Sequence, residues 1–223
     1  MLGLPDGITA LLFDLDGVLT DTAAVHAKAW KQTFEEEGFP FSKTDYDTYV
    51  DGKPREDGIR SFLASRDVHP SASEITRIGT VKNDLVLRLI REQGVEAYEG
   101  SRRYLEAAEA AGLKRALVSS SNNAAEVLEV TDMARFMQER VDGGVKSELG
   151  LKGKPAPDTF LEAARRLGVE PAHAAVFEDA LAGVQAGAAG GFGYVVGVNR
   201  ANQAEALSQH GADIVVDDLA DLL

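Results

Sequence analysis

The chain has 223 residues, of which 44% are hydrophobic and 26% are charged, as in a soluble globular protein with one sizeable domain or a core and a small insert. Its formal net charge of −13 argues against binding to nucleic acid or anionic membranes, because both require a positively charged surface. The absence of cysteine excludes disulfide bonds, zinc–thiolate sites and cysteine nucleophiles.

The chain shows no sign of a membrane or export segment. No apolar stretch approaches the roughly 18 residues that a membrane span needs. The N-terminus lacks the basic segment, apolar stretch and cleavage site of a signal peptide. We therefore expect a cytoplasmic protein without a nucleic-acid or membrane partner, and we expect it to be a monomer.

The first predicted strand, Ala10–Phe13, is followed by two carboxylates, Asp14 and Asp16, and then by Gly17. Its apolar run is typical of a buried parallel strand, and open α/β sheets bind ligands at the carboxyl ends of such strands. Asp14 is suited to attack a phosphoryl group and form an aspartyl-phosphate. Asp16 is suited to protonate the leaving oxygen and later to accept a proton from the attacking hydroxyl. An Asx-turn or a helix cap at the strand end is the alternative interpretation.

The next segment contains helical patterns and no convincing strand. The four helical patterns are Ala23–Glu37, Asp45–Val50, Arg55–Ala64 and Ser73–Glu92. We predict a four-helix cap domain over residues 22–93, inserted into a core domain formed by residues 1–21 and 94–223. A helical insert after the first strand of a parallel sheet is a candidate lid over the site.

Short apolar runs then alternate with amphipathic segments. With the first strand, the strand candidates are Arg115–Ser119, Ala174–Phe177, Tyr194–Val198 and Ile214–Val216. The helix candidates are Arg102–Ala111, Ala124–Val130, Asp158–Leu167, Ala180–Ala188 and Gln203–Gln209. This alternation predicts an α/β fold with a doubly wound parallel sheet, covered by helices on both faces and connected by right-handed crossovers.

Polar residues follow the second core strand and precede a predicted helix. They are Ser119, Ser120, Ser121, Asn122 and Asn123. Free N–H groups and the macrodipole allow helix N-termini to bind anions, so Ser119 is a candidate to hold a phosphoryl oxygen and its neighbours to bind substrate. Plain N-capping, which Ser and Asn favour, is the alternative.

Lys154 lies in the segment Gly-Lys-Pro-Ala-Pro-Asp, where two prolines restrict the backbone. A fixed ammonium there would neutralise charge on a transferring phosphoryl group, whereas a solvated surface lysine is the alternative. Two more acids, Glu178 and Asp179, end the next apolar run. With Asp14 and Asp16 they offer the oxygen ligands that Mg²⁺ prefers, although Asp179 could instead cap the following helix.

These motifs, in this order, resemble those of the haloacid dehalogenase superfamily, and the resemblance covers essentially the whole chain. It implies a Rossmann-like core and Mg²⁺-dependent phosphoryl transfer, with the metal held by Asp14, Asp16, Glu178 and Asp179. It also implies catalytic roles for Ser119 and Lys154. The paired acids of the first motif point to the phosphotransferases and phosphatases, because the dehalogenating branch lacks the second acid.

A closer resemblance is to the β-phosphoglucomutase-like phosphatases and phosphomutases. The residues that carry it in the insert are Thr22, His26, Trp30, Gly52, Lys53, Arg55 and Lys82. The resemblance implies that Thr22 and His26 couple the acid/base aspartate to cap closure, that Arg55 grips a distal phosphate, and that the segment at Lys82 faces the sugar. Helix packing for His26 and Trp30, and an exposed charge for Arg55, are the alternatives.

The chain departs from the mutase pattern at three places. Asp51 stands where a lysine is usual, Gly58 where a serine is usual, and Asn122 where a lysine is usual before Asn123. The lost cations would weaken the second phosphate site, and Lys53 could partly replace one of them.

The resemblance thus implies a sugar-phosphate enzyme, first of all a mutase that converts β-glucose 1-phosphate to glucose 6-phosphate through a bisphosphate. A sugar-phosphate phosphatase, in which water takes the phosphoryl group from Asp14, is the runner-up. A binding protein on the same fold is the least favoured, because such proteins usually lose one acid of the first motif and here all six motif residues are present.

Overall fold

The computed structural model of the chain describes residues 2–50 and 55–223. The strands are β1 (Ala10–Phe13), β2 (Thr20–Asp21), β3 (Glu96–Ala97), β4 (Lys114–Val118), β5 (Glu139–Val141), β6 (Ala174–Glu178), β7 (Tyr194–Val198) and β8 (Ile214–Val216). The helices are α1 (Ala23–Glu36), α2 (Lys43–Asp45), α3 (Arg55–Ala64), α4 (Ala72–Gln93), α5 (Glu99–Ala110), α6 (Ala124–Val130), α7 (Gly143–Glu148), α8 (Asp158–Leu167), α9 (Leu181–Ala189) and α10 (Ala204–Gln209). No helix in the described part of the chain is long and apolar enough to cross a membrane.

Residue contacts divide the chain into two compact units. The first comprises Met1–Asp21 and Val95–Leu223, and the second comprises Thr22–Gly94. The first unit contains a six-stranded sheet in the order β5-β4-β1-β6-β7-β8, with every neighbouring pair parallel. A separate antiparallel pair, β2 and β3, lies next to the two ends of the second unit in the sequence.

The strand β1 lies inside the sheet and is paired on both sides. Phe13 at its end is in register with Leu117 of β4 and Phe177 of β6. The amide of the next residue, Asp14, donates a hydrogen bond to the Phe177 carbonyl at 3.0 Å. Because parallel strands end at the same edge, this register brings the residues that follow β1, β4 and β6 to one rim of the sheet.

Both faces of the sheet are covered. On one face, Leu12 and Val176 belong to a buried cluster with Phe160 of α8. On the other, the Phe13 ring stacks on Phe177 at 4.6 Å and meets Tyr104 of α5 edge-on at 6.3 Å. Burial of each large apolar side chain contributes about 1.5–3 kcal/mol. The predicted α/β fold with a doubly wound parallel sheet is confirmed.

The second unit is helical within the part that the structure describes. Its apolar core contains Trp30, Phe34 and Phe62, whose rings pack against one another. The long helix α4 begins with a capping box, in which Ser71 and Glu74 each bind the other's backbone N–H, and ends at Gly94 with φ of 75°. The second predicted helical pattern is the short α2 followed by a π-helical turn, Tyr46–Val50.

The sequence patterns missed four short elements of the first unit. The strand β5 has the sequence Glu-Arg-Val and only Val141 is buried, so it has no apolar run to detect. The strands β2 and β3 have two residues each. The helix α7 begins at Gly143 and Gly144, a poor helical sequence that is stabilised by the Asp142 side chain accepting the Val145 amide.

Candidate active site

Lys154 is held among two carboxylates and a backbone carbonyl at the rim of the sheet. Its ammonium pairs with Asp14, lies 2.5 Å from Oε1 of Glu178, and donates to the Val118 carbonyl at 3.0 Å. The Lys154 side chain is only 10% exposed. The alternative interpretation of Lys154 as a solvated surface lysine is therefore wrong. Lys154 and Asp14, which are 140 positions apart in the sequence, therefore meet at this rim.

Three carboxylates form a cluster at this rim. One oxygen from each of Asp14, Glu178 and Asp179 can be chosen so that the three atoms lie within 4.8 Å of one another. Burial, with the nearby charges of Asp14 and Glu178, raises the pKa of Asp179 to about 8. Burial also raises the pKa of Glu178 against the opposing pull of Lys154. One ammonium does not balance this cluster, and its all-oxygen donor set suits a hard divalent cation.

The charge of Lys154 is stabilised by the same cluster. Burial by itself lowers the pKa of its ammonium, but the Asp14 and Glu178 carboxylates outweigh burial and raise the pKa above its usual value. Lys154 therefore stays protonated at neutral pH, as a group that neutralises phosphoryl charge must.

Two glycines, which have no side chain, make room for the carboxylates of this cluster. Gly17 has φ of 80°, and a Cβ on it would lie 2.0 Å from Oδ2 of Asp179. A Cβ on Gly183 would lie 1.9 Å from Oε1 of Glu178. Any side chain at either position would displace a member of the cluster. No pattern in the sequence predicts either contact.

Asp16 lies on the turn after β1, beside the cluster. It forms an isolated parallel bridge with Thr20, and Gly17 donates to the Thr20 carbonyl at 2.9 Å. Its charge also contributes to raising the pKa of Asp179. Among the described residues, the group of three that share a 4.8 Å site does not include the Asp16 carboxylate.

Ser119 and its neighbours form the turn between β4 and α6. Ser119 is buried, and its amide donates to the Val141 carbonyl at 3.0 Å. The hydroxyls of Ser119 and Ser121 accept the amides two residues on, Ser121 and Asn123, each at 3.1 Å. Asn123 is the N-cap residue of α6, but its side chain makes no cap hydrogen bond. The segment is thus a pair of hydroxyl turns rather than a side-chain helix cap.

The other residues of the four motifs have clear positions. Ser120 and Asn122 are exposed. A Cβ on Gly143 would lie 2.3 Å from the amide oxygen of Asn122, so α7 begins directly against this turn. Asp179 is not the N-cap of α9: that residue is Ala180, whose amide is 3.3 Å from Glu178 Oε2.

In the helical unit, Lys82 joins His26 and Trp30. The Lys82 ammonium lies 2.7 Å from Nδ1 of His26 and 4.8 Å from the centre of the Trp30 ring. Burial, and then the charge of Lys82, lowers the pKa of His26 to about 3. His26 is therefore neutral near pH 7 and accepts from the lysine at Nδ1. Trp30 also stacks on Phe34 at 5.2 Å, which is the packing role considered from the sequence.

The remaining candidates of the helical unit are placed as follows. Thr22 is buried just before α1, and its carbonyl accepts the His26 amide at 2.9 Å. Arg55 is exposed at the start of α3, where its Nε would be 3.2 Å from a Cβ on Gly79. Gly52 and Lys53, like Asp51, lie outside the described residues.

Comparison with known proteins agrees with this architecture. The sequence profile of the haloacid dehalogenase-like hydrolases matches residues 8–191. The chain is similar to a β-phosphoglucomutase of Mycobacterium bovis, with 53% identity covering 100% of this chain and 94% of the relative. It is also similar to a phosphorylated carbohydrates phosphatase of Thermotoga maritima, with 30% identity covering 93% of each chain.

Solved structures give the same result. The crystal structure of a β-phosphoglucomutase from Clostridium difficile aligns with a TM-score of 0.80 and 29% sequence identity, covering 97% of this chain and 93% of that one. The resemblance that the four motifs carried is therefore confirmed over the whole fold.

Proposed function

The chain belongs to the haloacid dehalogenase-like hydrolase family, and we propose that it transfers phosphoryl groups of a sugar phosphate through an aspartyl-phosphate at Asp14. The observation that carries this proposal is the junction of Asp14, Lys154, Glu178 and Asp179 at the carboxyl edge of the sheet. A buried carboxylate beside a fixed ammonium is an oriented nucleophile with a charge partner for the phosphoryl oxygens.

The proposed chemistry has two balanced steps. A carboxylate oxygen of Asp14 attacks phosphorus, the bond from phosphorus to the sugar oxygen breaks, and Asp16 gives its proton to that oxygen. An acceptor hydroxyl then gives a proton back to Asp16 and attacks phosphorus, which breaks the bond to Asp14. Lys154 neutralises charge on the phosphoryl oxygens, and Ser119 holds one of them.

A Mg²⁺ ion fits the carboxylate cluster. Three oxygen ligands within 4.8 Å of one another, with a raised pKa on Asp179, are a donor set whose negative charge the single Lys154 ammonium does not balance. Asp14, Glu178 and Asp179 would hold the ion, and Asp16 would contribute from the adjoining turn. When bound, the ion supplies positive charge to the transferring phosphoryl group.

The favoured reaction is that of a β-phosphoglucomutase, which converts β-glucose 1-phosphate to glucose 6-phosphate. The 53% identity to a β-phosphoglucomutase over the full chain supports it. In this reaction Arg55 would bind the distal phosphate of a bisphosphate intermediate through a bidentate guanidinium, and Thr22, His26, Trp30 and Lys82 would shape the sugar side. Gly52, Lys53, Ser120, Ser121, Asn122 and Asn123 complete the proposed substrate contacts.

The second candidate is a sugar-phosphate phosphatase, in which water is the acceptor. It is favoured by the exposed amide of Asn122, which stands where mutases usually carry a lysine. Without that cation the intermediate's second phosphate would be held less tightly, and the intermediate would be released before it reorients.

The deciding experiment is a steady-state assay with β-glucose 1-phosphate, run with and without a trace of glucose 1,6-bisphosphate as primer. A mutase produces glucose 6-phosphate in a primer-dependent way with little inorganic phosphate. Phosphate release without isomerisation would instead establish the phosphatase. The variant Asp14→Asn should lose activity by roughly three orders of magnitude or more in either case while staying folded, because an amide is a poor nucleophile. Activity retained by this variant would contradict the whole mechanism.

A further inference from the structure

The loop after β7 lies outside the four motifs, yet two of its side chains donate hydrogen bonds to backbone carbonyls at the carboxylate cluster. The guanidinium Nε of Arg200 donates to the Gly17 carbonyl at 2.8 Å. The side-chain amide of Gln203 donates to the Asp179 carbonyl at 2.9 Å. One loop thus fixes a peptide group of the first motif and a peptide group of the fourth.

The Arg200 side chain is itself held on several sides. Its guanidinium lies 3.7 Å from the centre of the Tyr98 ring. Its Nη1 donates to the Asp217 carbonyl at 2.9 Å, and its Nη2 lies 3.6 Å from Oδ2 of Asp218. A guanidinium with this many partners keeps one orientation, so its bond to Gly17 has a fixed direction.

Gly17 is the residue whose displacement would disturb the carboxylate cluster. Its amide is bound by Thr20, its carbonyl by Arg200, and its Cα lies directly against the Asp179 carboxylate. Asp16 immediately precedes it. These bonds hold the two peptide groups on either side of the Gly17 Cα, so a change in the backbone torsions of Gly17 would move Asp16 and disturb the contact with Asp179 together.

We propose that Arg200 is a positioning residue of this enzyme, which holds the turn of Asp16 and Gly17 against Asp179 through the Gly17 carbonyl. Arg200 touches no reacting atom in this role. The proposal rests on the proposed phosphoryl transfer for its kinetic readout only, because the position of the turn can also be measured without turnover.

The test compares Arg200→Met and Arg200→Lys with the matched control Arg102→Met. Arg102 has a similar exposed fraction, 26% against 21%, and donates to the Thr131 carbonyl, away from the four motifs. Arg200→Met should lower kcat for an aryl phosphate by about 10-fold to 100-fold with little change in KM, since small misplacements of reacting groups cost this much. Arg200→Lys should recover part of the loss, and Arg102→Met should keep the parent kcat.

Amide hydrogen exchange in the segment 14–20 supplies the readout without turnover. We expect faster exchange there in Arg200→Met and parent-like exchange in Arg102→Met, even where the two variants lose the same amount of thermal stability. Parent-like kcat and parent-like exchange in Arg200→Met would overturn the proposal, as would equal effects of the two methionine variants. If the parent protein has no phosphatase or mutase activity, the proposed function fails, and the exchange measurement still decides the positioning role.

Discussion

The ammonium nitrogen of Lys154 lies 2.5 Å from Oε1 of Glu178, a side chain that is 1% exposed. The Lys154 ammonium is stabilised by both Glu178 and Asp14, whereas the Glu178 carboxylate depends on Lys154 and is repelled by Asp14. A buried ion pair of this kind contributes little net free energy when complete, but removal of one partner leaves a desolvated charge.

We predict that Lys154→Met lowers the free energy of unfolding by about 3–5 kcal/mol, as loss of one buried partner usually does. The double variant Lys154→Met/Glu178→Gln should be more stable than the single lysine variant, because the orphaned charge is also removed. Urea unfolding of the two single variants and the double variant measures this coupling. Strictly additive losses would show that the two residues do not depend on each other. Both variants with methionine should be inactive.

The raised pKa of Asp179 predicts an unusual pH dependence in metal-free protein. The folded-state pKa of about 8 lies above the ordinary value of 3.8, so between these pH values the folded state holds a proton that the unfolded state has lost. The contribution of this group to stability in EDTA should therefore fall as pH rises from about 4 to about 8, by up to about 1.4 kcal/mol per pH unit. Millimolar Mg²⁺ should reverse the trend.

Thermal unfolding midpoints at several pH values, in EDTA and in Mg²⁺, test this prediction. Asp179→Asn is the control, because an amide does not titrate. We expect this variant to be more stable than the parent in EDTA near pH 8 and to gain little from Mg²⁺. A parent-like slope in the variant would mean that another group causes the pH dependence.

The lowered pKa of His26 predicts that the protein loses stability as the pH falls below about 6.5. Its pKa of about 3 in the folded protein lies below the ordinary 6.5, so between these values only the unfolded state takes up the proton. Stability should fall as pH is lowered from about 6.5, at most about 1.4 kcal/mol per pH unit from this residue. His26→Asn, which keeps an acceptor for Lys82, should flatten this slope. The same substitution at the exposed His69 should leave the slope as in the parent.

The proposed role of Arg55 predicts that its removal affects activity on a sugar phosphate and activity on an aryl phosphate differently. If it binds a distal phosphate, Arg55→Ala should reduce kcat/KM for β-glucose 1-phosphate by about 10-fold or more, as loss of a charge-assisted hydrogen bond does. Hydrolysis of an aryl phosphate, which has no second phosphate site, should be little changed. Arg60→Ala, at another exposed position of α3, is the control and should match the parent on both substrates. Equal losses on the two substrates would exclude a distal-phosphate role for Arg55.

Sequence patterns located β1, β7 and β8 to the residue because each is a short, largely apolar run between turn residues. They missed β5, because its sequence Glu-Arg-Val has one apolar residue and therefore no apolar run, whereas the other edge strand, β8, has the sequence Ile-Val-Val. The meeting of Asp14 and Glu178 followed from the rule that parallel strands end at one edge. The same rule applied to β7 would have indicated Arg200, which follows that apolar run just as Ser119 follows β4.

Other features of the site have no pattern that a single sequence can show. The bond from Lys154 to the Val118 carbonyl involves a main-chain atom, which every residue has. The contact between Gly183 and Glu178 depends on how α9 turns back on β6, a tertiary geometry that spacing alone does not fix. The neutral state of His26 depends on its burial beside Lys82, which is distant in the sequence.

The interior position of β1 has a consequence for how the nucleophile moves. Because β1 is hydrogen-bonded to β4 and to β6, its amides can reach solvent only when the centre of the sheet separates. Such openings cost nearly the full free energy of unfolding, whereas turns and loop tips open at far lower cost. The backbone at the end of β1, which carries Asp14, is thus among the slowest-fluctuating parts of the protein. Any structural adjustment during a catalytic cycle must therefore come from the groups that approach Asp14.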